Sequence, residues 1–217
     1  VWWLSHDPPV EVGKAGADKV VILLHGYGAD KQDLRPVALS LSGNVPDVRF
    51  ILPQAPHSAI IGYAWIPSYS ADTKEKANAL LDQLRAEARQ VVVPIIEDLI
   101  EDGVAPHNIY VAGFSQGAAV ALDVLLHEPA AQSIAGLIFL SGGGFKPDLE
   151  MLAGRTQVRA FVSHAKRDPR VNIGGAKRLV AALEAGGHVV EFVEFDNGHT
   201  IPLETIQALR DFLQQHP

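Results

Sequence analysis

Residues 113–117 read Gly113-Phe114-Ser115-Gln116-Gly117, and they join a strand-like run, Asn108–Ala112, to a helix-like run that ends at His127. The Gly-x-Ser-x-Gly pattern alone is a weak signal in a chain with 19 glycines. Its context is stronger, because a sharp strand-to-helix turn exposes a serine only where small residues flank it. We therefore interpret Ser115 as a nucleophile on such a turn. The alternative is a glycine-rich connection in which Ser115 caps a helix.

Composition narrows the class of protein. The chain has 217 residues, of which 47% are apolar, and this predicts a single domain over residues 1–217 with a large core. The net charge is −7 and no basic cluster is present, which argues against nucleic acid as a partner. There is no cysteine, so disulfides, thiolate nucleophiles and cysteine-ligated metals are excluded.

The hydropathy of the chain and its first residues indicate in which cellular compartment the protein is expected. No apolar run reaches the ~18 residues that a transmembrane helix needs. Residues 1–6 have neither the basic region nor the long apolar run of a signal peptide, which favours a cytoplasmic protein. The sequence does not begin with methionine, so a removed leader stays open as an alternative.

Apolar runs alternate with segments of helical periodicity. The runs predict strands at Val20–Leu24, Val48–Leu52, Asn108–Ala112, Ile134–Leu140, Val158–Ser163 and, near a sheet edge, Val189–Phe195. Helices are predicted at 30–41, 73–101 (kinked or divided at Pro94), 116–127, 174–185 and 201–215, with an aromatic-rich irregular loop at 53–72. This alternation predicts an α/β protein with a mainly parallel central sheet, helices on both faces, and reactive residues beyond the carboxyl ends of the strands.

A serine nucleophile needs a base within hydrogen-bond reach, and the base needs an acid that orients it. Of the nine histidines, His199 is the best placed, because it follows the last predicted strand and precedes the last helix. His25 also ends a strand but precedes Ser115 in the chain. His164 ends a strand beside a candidate acid.

The candidate acid is Asp168, in the loop after Val158–Ser163, with Asp196 and Asp148 as rivals. The chain order Ser–Asp–His is that of α/β-hydrolases and favours Asp168. Asp196 lies in the same turn as His199 and could hardly reach its Nδ1. The alternative for Asp168 is a surface aspartate flanked by arginines.

Negative charge that develops on a carbonyl oxygen needs backbone N–H donors. One candidate donor is the N–H of Gln116, which follows the serine at the positive end of a helix. The other is the N–H of Tyr27, because the sequence Leu24-His25-Gly26-Tyr27-Gly28 follows an early strand and its glycines allow close backbone approach.

These residues resemble the phospholipase/carboxylesterase family of α/β-hydrolases, which includes carboxylesterases and acyl-protein thioesterases. The resemblance runs from about Val20 to about Phe212. It rests on Leu24–Asp30, Pro53-Gln54-Ala55-Pro56 followed by Trp65, Gly113–Ala118, Leu140-Ser141-Gly142, Asp168 with Val171, and Gly198-His199 with Ile201-Pro202.

The resemblance implies an α/β-hydrolase fold without a large cap domain. It also implies a serine hydrolase that cleaves short- to medium-chain esters or acyl thioesters through an acyl-enzyme. No metal or other cofactor is expected, and the partner is a small-molecule or lipid-like ester. An exposed edge strand leaves a homodimer open. Expected walls of the substrate site are Trp65, Ile66, Phe114, Gly143 and Gly144, although Trp65 and Phe114 could equally be core residues.

Three segments depart from the family pattern. Ile60–Ala64 replaces a methionine-rich stretch, Gly143-Gly144 stands where a bulkier residue often follows Ser-Gly, and the acid loop reads Asp168-Pro169-Arg170-Val171. These departures concern the acyl preference. The alternatives are a lysophospholipase, a dienelactone-type hydrolase or peptidase on the same scaffold, and a catalytically silent binding module.

Overall fold

The computed structural model describes residues 7–215, so the predictions made for residues 1–6 lie outside the described part of the chain. The strands are β1 (Val10–Gly13), β2 (Lys19–Leu24), β3 (Val48–Leu52), β4 (His57–Ser58), β5 (Tyr63–Ala64), β6 (Ile109–Phe114), β7 (Gly136–Leu140), β8 (Arg159–Ala165) and β9 (Val189–Phe195). The helices are α1 (Arg35–Ser42), α2 (Lys74–Glu101), α3 (Gln116–His127), α4 (Gly174–Ala185) and α5 (Leu203–Gln214).

Seven of the strands form one sheet in the order β1-β3-β2-β6-β7-β8-β9. All neighbouring pairs are parallel except β1 with β3. Strands β2 and β7 are buried along their whole length, as expected for strands covered on both faces. The predicted mainly parallel sheet is confirmed, and β9 is an edge strand as predicted.

Helices cover both faces of this sheet. Successive side chains of a strand point to opposite faces, so β2 sends Val20 and Ile22 into one apolar core and Val21 into the other. The first core packs against α2, α3 and α4, and the second against α1 and α5. The carboxyl ends of the parallel strands therefore meet at one edge, between the two helical layers.

Three predicted elements differ from the structure. The first helix begins at Arg35 rather than at residue 30, because the side chain of Asp30 accepts a hydrogen bond from the N–H of Gln32 and holds a turn. The long helix α2 continues through Pro94 undivided. The loop 53–72 contains the small antiparallel hairpin β4–β5.

Strand β1 was not predicted. It is four residues long, lies at the antiparallel edge of the sheet and buries one residue fully, so its hydropathy pattern is weak. Within residues 7–215, no helix is long and apolar enough to cross a membrane. No large cap domain interrupts the described elements.

Candidate active site

The turn at Ser115 has the strained geometry expected of a nucleophile between a strand and a helix. Ser115 has φ 54° and ψ −116°, a left-handed conformation that few non-glycine residues adopt. A Cβ on Gly113 would stand 2.3 Å from the carbonyl carbon of Gly117, and a Cβ on Gly117 would stand 2.4 Å from the carbonyl oxygen of Leu24. Both glycines are therefore required by close backbone contacts.

Ser115, His199 and Asp168 form one chain of hydrogen bonds. The hydroxyl of Ser115 lies 2.9 Å from Nε2 of His199, and Nδ1 of His199 lies 2.7 Å from Oδ2 of Asp168. An ionised carboxylate only accepts, so Nδ1 carries the proton and Nε2 is free to accept from the serine. The three side chains come from the loops after β6, β9 and β8, which meet at the carboxyl edge of the sheet.

The carboxylate of Asp168 is fully buried and is held by its own loop. Its Oδ1 accepts hydrogen bonds from the N–H groups of Arg170 and Val171, at 2.8 and 2.9 Å. Burial acts to raise the pKa of Asp168. The hydrogen bonds from His199 and from these two N–H groups outweigh burial, so the pKa of Asp168 lies below its usual value. The carboxylate is therefore charged at neutral pH.

The two other candidates for the acid, Asp196 and Asp148, make different contacts. Asp196 is exposed and pairs with Lys166 at 3.3 Å. Asp148 accepts a hydrogen bond from the N–H of Glu150 and caps a short 3₁₀ helix. Neither carboxylate contacts His199 in the described part of the chain.

His164 is buried behind Asp168. Its Nε2–H donates to the carbonyl oxygen of Val171 at 3.0 Å and lies 3.7 Å from Oδ2 of Asp168. Within residues 7–215, its Nδ1 has no hydrogen-bond partner. The hydrogen bond to Val171 ties β8 to the loop that presents Asp168, so His164 supports the acid rather than replacing it.

His25 lies under the loop that contains Tyr27. Its Nε2 accepts hydrogen bonds from the side-chain amide of Gln54 and from the N–H of Ala55, so its Nδ1–H donates to the carbonyl oxygen of Gly26 at 2.8 Å. Burial lowers the pKa of His25, and this favours the neutral ring that such a pattern needs. His25 is thus a fixed support for the loop and not the base.

The β4–β5 hairpin also holds the loop that contains Tyr27. The N–H of Gly28 donates to the carbonyl oxygen of Tyr63, and the N–H of Tyr63 donates to that of Ala29, both at 2.8 Å. Within residues 7–215, the N–H of Tyr27 has no backbone acceptor, which leaves it available to a substrate oxygen.

The side chain of Gln116 makes contacts that the sequence did not reveal. Its Oε1 accepts hydrogen bonds from the N–H groups of Trp65 and Ile66, at 2.9 and 3.2 Å, and its Nε2–H donates to the carbonyl oxygen of Ile66. These bonds clamp residues 65–66 to the first turn of α3. The N–H of Gln116 begins that helix and has no partner within it. The only sequence signal for these contacts was a glutamine directly after the serine. That signal did not indicate which groups the side-chain amide binds.

The residues expected to form the walls of the substrate site fall into two groups: core residues that support the site, and residues that contact Ser115 or His199. The Trp65 and Ile66 side chains are buried, and the indole N–H of Trp65 donates to the carbonyl oxygen of His25, so these two are core residues that support the site. The ring of Phe114 lies 4.8 Å from that of His199. Gly143 donates its N–H to the carbonyl oxygen of Ser115 at 3.2 Å.

Among residues 7–215, no group of three or more histidines, aspartates or glutamates is placed to hold a metal ion. The parallel sheet and the hydrogen-bonded Ser115, His199 and Asp168 together define an α/β-hydrolase.

Comparison with known proteins assigns the family. The sequence profile of the phospholipase/carboxylesterase family matches residues 6–217, and the chain belongs to this family. It is 27% identical to Acyl-protein thioesterase 1 of Kluyveromyces lactis over 92% of each chain. It is 28% identical to a probable carboxylesterase of Oryza sativa subsp. japonica, over 92% of this chain and 89% of that one.

The solved structure of esterase PE8 is similar to this chain with a TM-score of 0.78 and 25% identity, over 95% of this chain and 97% of that one. The predictions of this family, of the α/β-hydrolase fold and of an enzyme in the carboxylesterase and thioesterase class are confirmed.

Proposed function

We propose that the chain hydrolyses short- to medium-chain carboxylic esters or acyl thioesters through an acyl-enzyme on Ser115. The observation that carries this proposal is the uninterrupted chain of hydrogen bonds from Ser115 through His199 to Asp168, with bonds of 2.9 and 2.7 Å. Family membership and relatives with esterase and thioesterase names support it.

In the first half-reaction, Oγ of Ser115 attacks the carbonyl carbon while Nε2 of His199 takes the hydroxyl proton. Asp168 keeps the His199 ring in the required tautomer and stabilises the imidazolium. The oxygen of the tetrahedral intermediate accepts hydrogen bonds from the N–H groups of Tyr27 and Gln116. His199 then returns the proton to the leaving alcohol or thiol, and an acyl-enzyme remains.

In the second half-reaction, water attacks the acyl carbon and His199 again takes a proton. The same two N–H groups stabilise the second tetrahedral intermediate. Collapse of that intermediate releases the carboxylic acid and restores the Ser115 hydroxyl. Every proton moves between substrate, water, Ser115 and His199, and Asp168 stays ionised throughout, so these steps use no further cofactor. The expected partner is a small-molecule or lipid-like ester.

The test is Ser115→Ala, assayed with p-nitrophenyl butyrate. We expect kcat to fall by ~10³–10⁶-fold because no nucleophile remains, while the unfolding curve stays close to that of the wild type. Ser40→Ala is the matched control, since Ser40 is an exposed serine on α1. A fluorophosphonate probe should label the wild type and the control, but not Ser115→Ala. Unchanged ester hydrolysis in Ser115→Ala would contradict the proposal.

A further inference from the structure

The two N–H groups assigned to the oxyanion lie beyond the part of the sheet that joins their strands. The pairing of β2 with β6 ends at Leu24 and Gly113. Tyr27 and Gln116 each follow three residues after these ends. In the part of the chain that the structure describes, no hydrogen bond outside this pairing joins the loop of Tyr27 directly to the turn of Ser115. Any hydrogen-bonded connection between the two donors therefore passes through a third segment.

Residues 63–66 make that connection, and we call them the bridging segment. It comprises β5 and the two residues that follow it. On one side it holds the loop of Tyr27 with three hydrogen bonds, each 2.8 Å long. The N–H of Gly28 donates to the carbonyl oxygen of Tyr63, the N–H of Tyr63 to that of Ala29, and the indole N–H of Trp65 to that of His25.

On its other side, the bridging segment binds the side chain of Gln116. The amide oxygen Oε1 accepts from the N–H groups of Trp65 and Ile66, at 2.9 and 3.2 Å. The amide Nε2–H donates to the carbonyl oxygen of Ile66 at 2.7 Å. Trp65 and Ile66 are buried, so backbone groups that lose their partners here are costly to leave unpaired. One amide thus attaches the bridging segment to the residue that supplies the second oxyanion donor.

The loop of Tyr27, the bridging segment and Gln116 are therefore connected in series. Trp65 belongs to both halves of this connection, because its indole binds the carbonyl oxygen of His25 while its backbone N–H binds Gln116. An oxyanion hole works only when each donor lies about 2.7–3.1 Å from the oxygen. A displacement of about 1 Å can cost a factor of about 100 in rate. Contacts that fix the spacing of the two donors therefore act on the transition state more than on substrate binding.

Gly62 places the bridging segment against the loop of Tyr27. It directly precedes β5 and has φ 64°. A Cβ on Gly62 would stand 2.7 Å from the carbonyl oxygen of Ala29 and would also clash with that of Gly28. A side chain at this position would therefore push the bridging segment away from the loop that it holds. Gly62 thus allows a change at the Tyr27 end of the connection that leaves the side chain of Gln116 in place.

We propose that the bridging segment sets the spacing of the two oxyanion donors, and that the side chain of Gln116 is a positioning residue for this purpose. The proposal rests on the proposed function, because it concerns how the same site holds Tyr27 and Gln116 around one substrate oxygen. The nucleophile, base and acid are held together by other hydrogen bonds. Loss of the connection should therefore slow the chemical step and leave Ser115, His199 and Asp168 paired.

The first test is Gln116→Met, which keeps the length of the side chain and removes its hydrogen bonds. With p-nitrophenyl butyrate, we expect kcat to fall by about 10- to 100-fold and KM to stay within about threefold, because the displaced donors matter most in the transition state. Gln207→Met is the matched control, since Gln207 is an exposed glutamine on α5.

Two further measurements distinguish a misplaced oxyanion hole from general damage to the site. An alkyl trifluoromethyl ketone adds to the Ser115 hydroxyl and forms a hemiketal oxyanion, so its Ki should rise by the same factor by which kcat/KM falls. The pH dependence of kcat/KM should keep its midpoint, since His199 and Asp168 stay paired. A urea unfolding curve shows whether each variant is folded.

The second test is Gly62→Ala, for which we expect kcat to fall by about 10-fold with little change in KM. Gly16→Ala is the matched control, because Gly16 has a similar φ of 75° but no atom within 4 Å of the added Cβ. Both variants carry a similar backbone strain, and only Gly62→Ala displaces the bridging segment. Because the connection is in series, the variant with both Gln116→Met and Gly62→Ala should lose at most about threefold more than Gln116→Met alone.

The outcomes separate this proposal from the proposed function. Wild-type kcat in both folded single variants would overturn the role of the bridging segment. So would losses that multiply in the double variant, a shifted pH midpoint, or equal losses in a variant and its matched control. An active wild type leaves the proposed function standing in all of these cases. If Gln116→Met does not fold, Gly62→Ala compared with Gly16→Ala decides alone. A wild type that hydrolyses no ester and does not react with a fluorophosphonate would contradict the proposed function itself.

Discussion

Asp168 and Asp123 are both carboxylates with almost no exposed side-chain surface, yet they are stabilised in opposite ways. Asp123 lies on α3 and contacts two guanidinium groups of α2, those of Arg85 and Arg89. No arginine side chain contacts Asp168 in the described part of the chain, and its carboxylate is held by two backbone N–H groups and the ring of His199.

This difference distinguishes Asp123, which forms structural ion pairs, from Asp168, which is placed to act in a reaction. Arginine keeps its charge at every relevant pH, so the cluster around Asp123 is a fixed link between two helices. Backbone N–H groups carry no net charge, and an imidazole gains its charge only when it takes a proton. Asp168 can therefore stabilise an imidazolium that appears during a reaction. Arg85 also lies 5.0 Å from the ring centre of Phe145, so the fixed link also contacts the loop that follows β7.

Among the variants that test this comparison of two carboxylates, Asp168→Asn has the largest expected effect. An amide at this position can hold His199 in the wrong tautomer and cannot stabilise the imidazolium, so we expect kcat for p-nitrophenyl butyrate to fall by ~10⁴-fold. Steady-state kinetics and a urea unfolding curve check this together. A variant that keeps the wild-type kcat, with an unchanged unfolding curve, would remove the distinction between the two carboxylates.

The second expected effect is on stability, from Asp123→Asn. Removing the charge leaves two partly buried guanidinium groups short of a counter-charge, so we expect the free energy of unfolding to fall by about 3 kcal/mol. We expect kcat of the folded variant to stay within about threefold of the wild type, since Asp123 has no contact with Ser115, His199 or Asp168 in the described residues.

Asp82→Asn is the matched control for Asp123→Asn. Asp82 pairs with the same Arg85, but 71% of its side-chain surface is exposed, so the expected loss is below about 1 kcal/mol. Urea unfolding of both variants decides the comparison. Equal losses would show that burial of Asp123 does not determine the strength of the link.

The smallest expected effect is on acid stability. The pKa of Asp168 is lower in the folded protein than the ~3.9 of a free aspartate, so its contribution to stability is complete well above pH 4 and is lost as the pH falls through the folded pKa. Between pH 5 and pH 3, the wild type should therefore lose more unfolding free energy than Asp168→Asn. Urea unfolding at several pH values measures this, and parallel curves for the two proteins would contradict it.

Much of the fold was predictable because buried parallel strands are continuous apolar runs. The same runs located the loops in which Ser115, Asp168 and His199 lie, since each loop follows the carboxyl end of a strand. The start of α1 was misplaced because a side chain of Asp30 closes a local turn that periodicity cannot detect. Strand β1 was missed because an exposed antiparallel edge leaves little apolar pattern.

Contacts between distant segments were not predictable. The amide of Gln116 binds backbone groups about 50 residues away in the chain, and Nε2 of His25 binds Gln54 and Ala55. A polar side chain has no periodicity that indicates its partner, because the partner is set by the distance between folded segments. The same reason explains why Trp65 could be either wall or core until its burial was known.

By itself, the sequence determined the order of the six parallel strands and the five helices, the turn at Ser115 and the candidates for base and acid. These depend on local hydropathy and on glycines that flank the serine. The tertiary structure decided which aspartate meets His199, which histidine supports the loop of Tyr27, and which backbone groups the side chain of Gln116 binds. Those choices depend on distances of a few ångströms between residues far apart in the chain, and only the packed sheet and its helices set such distances.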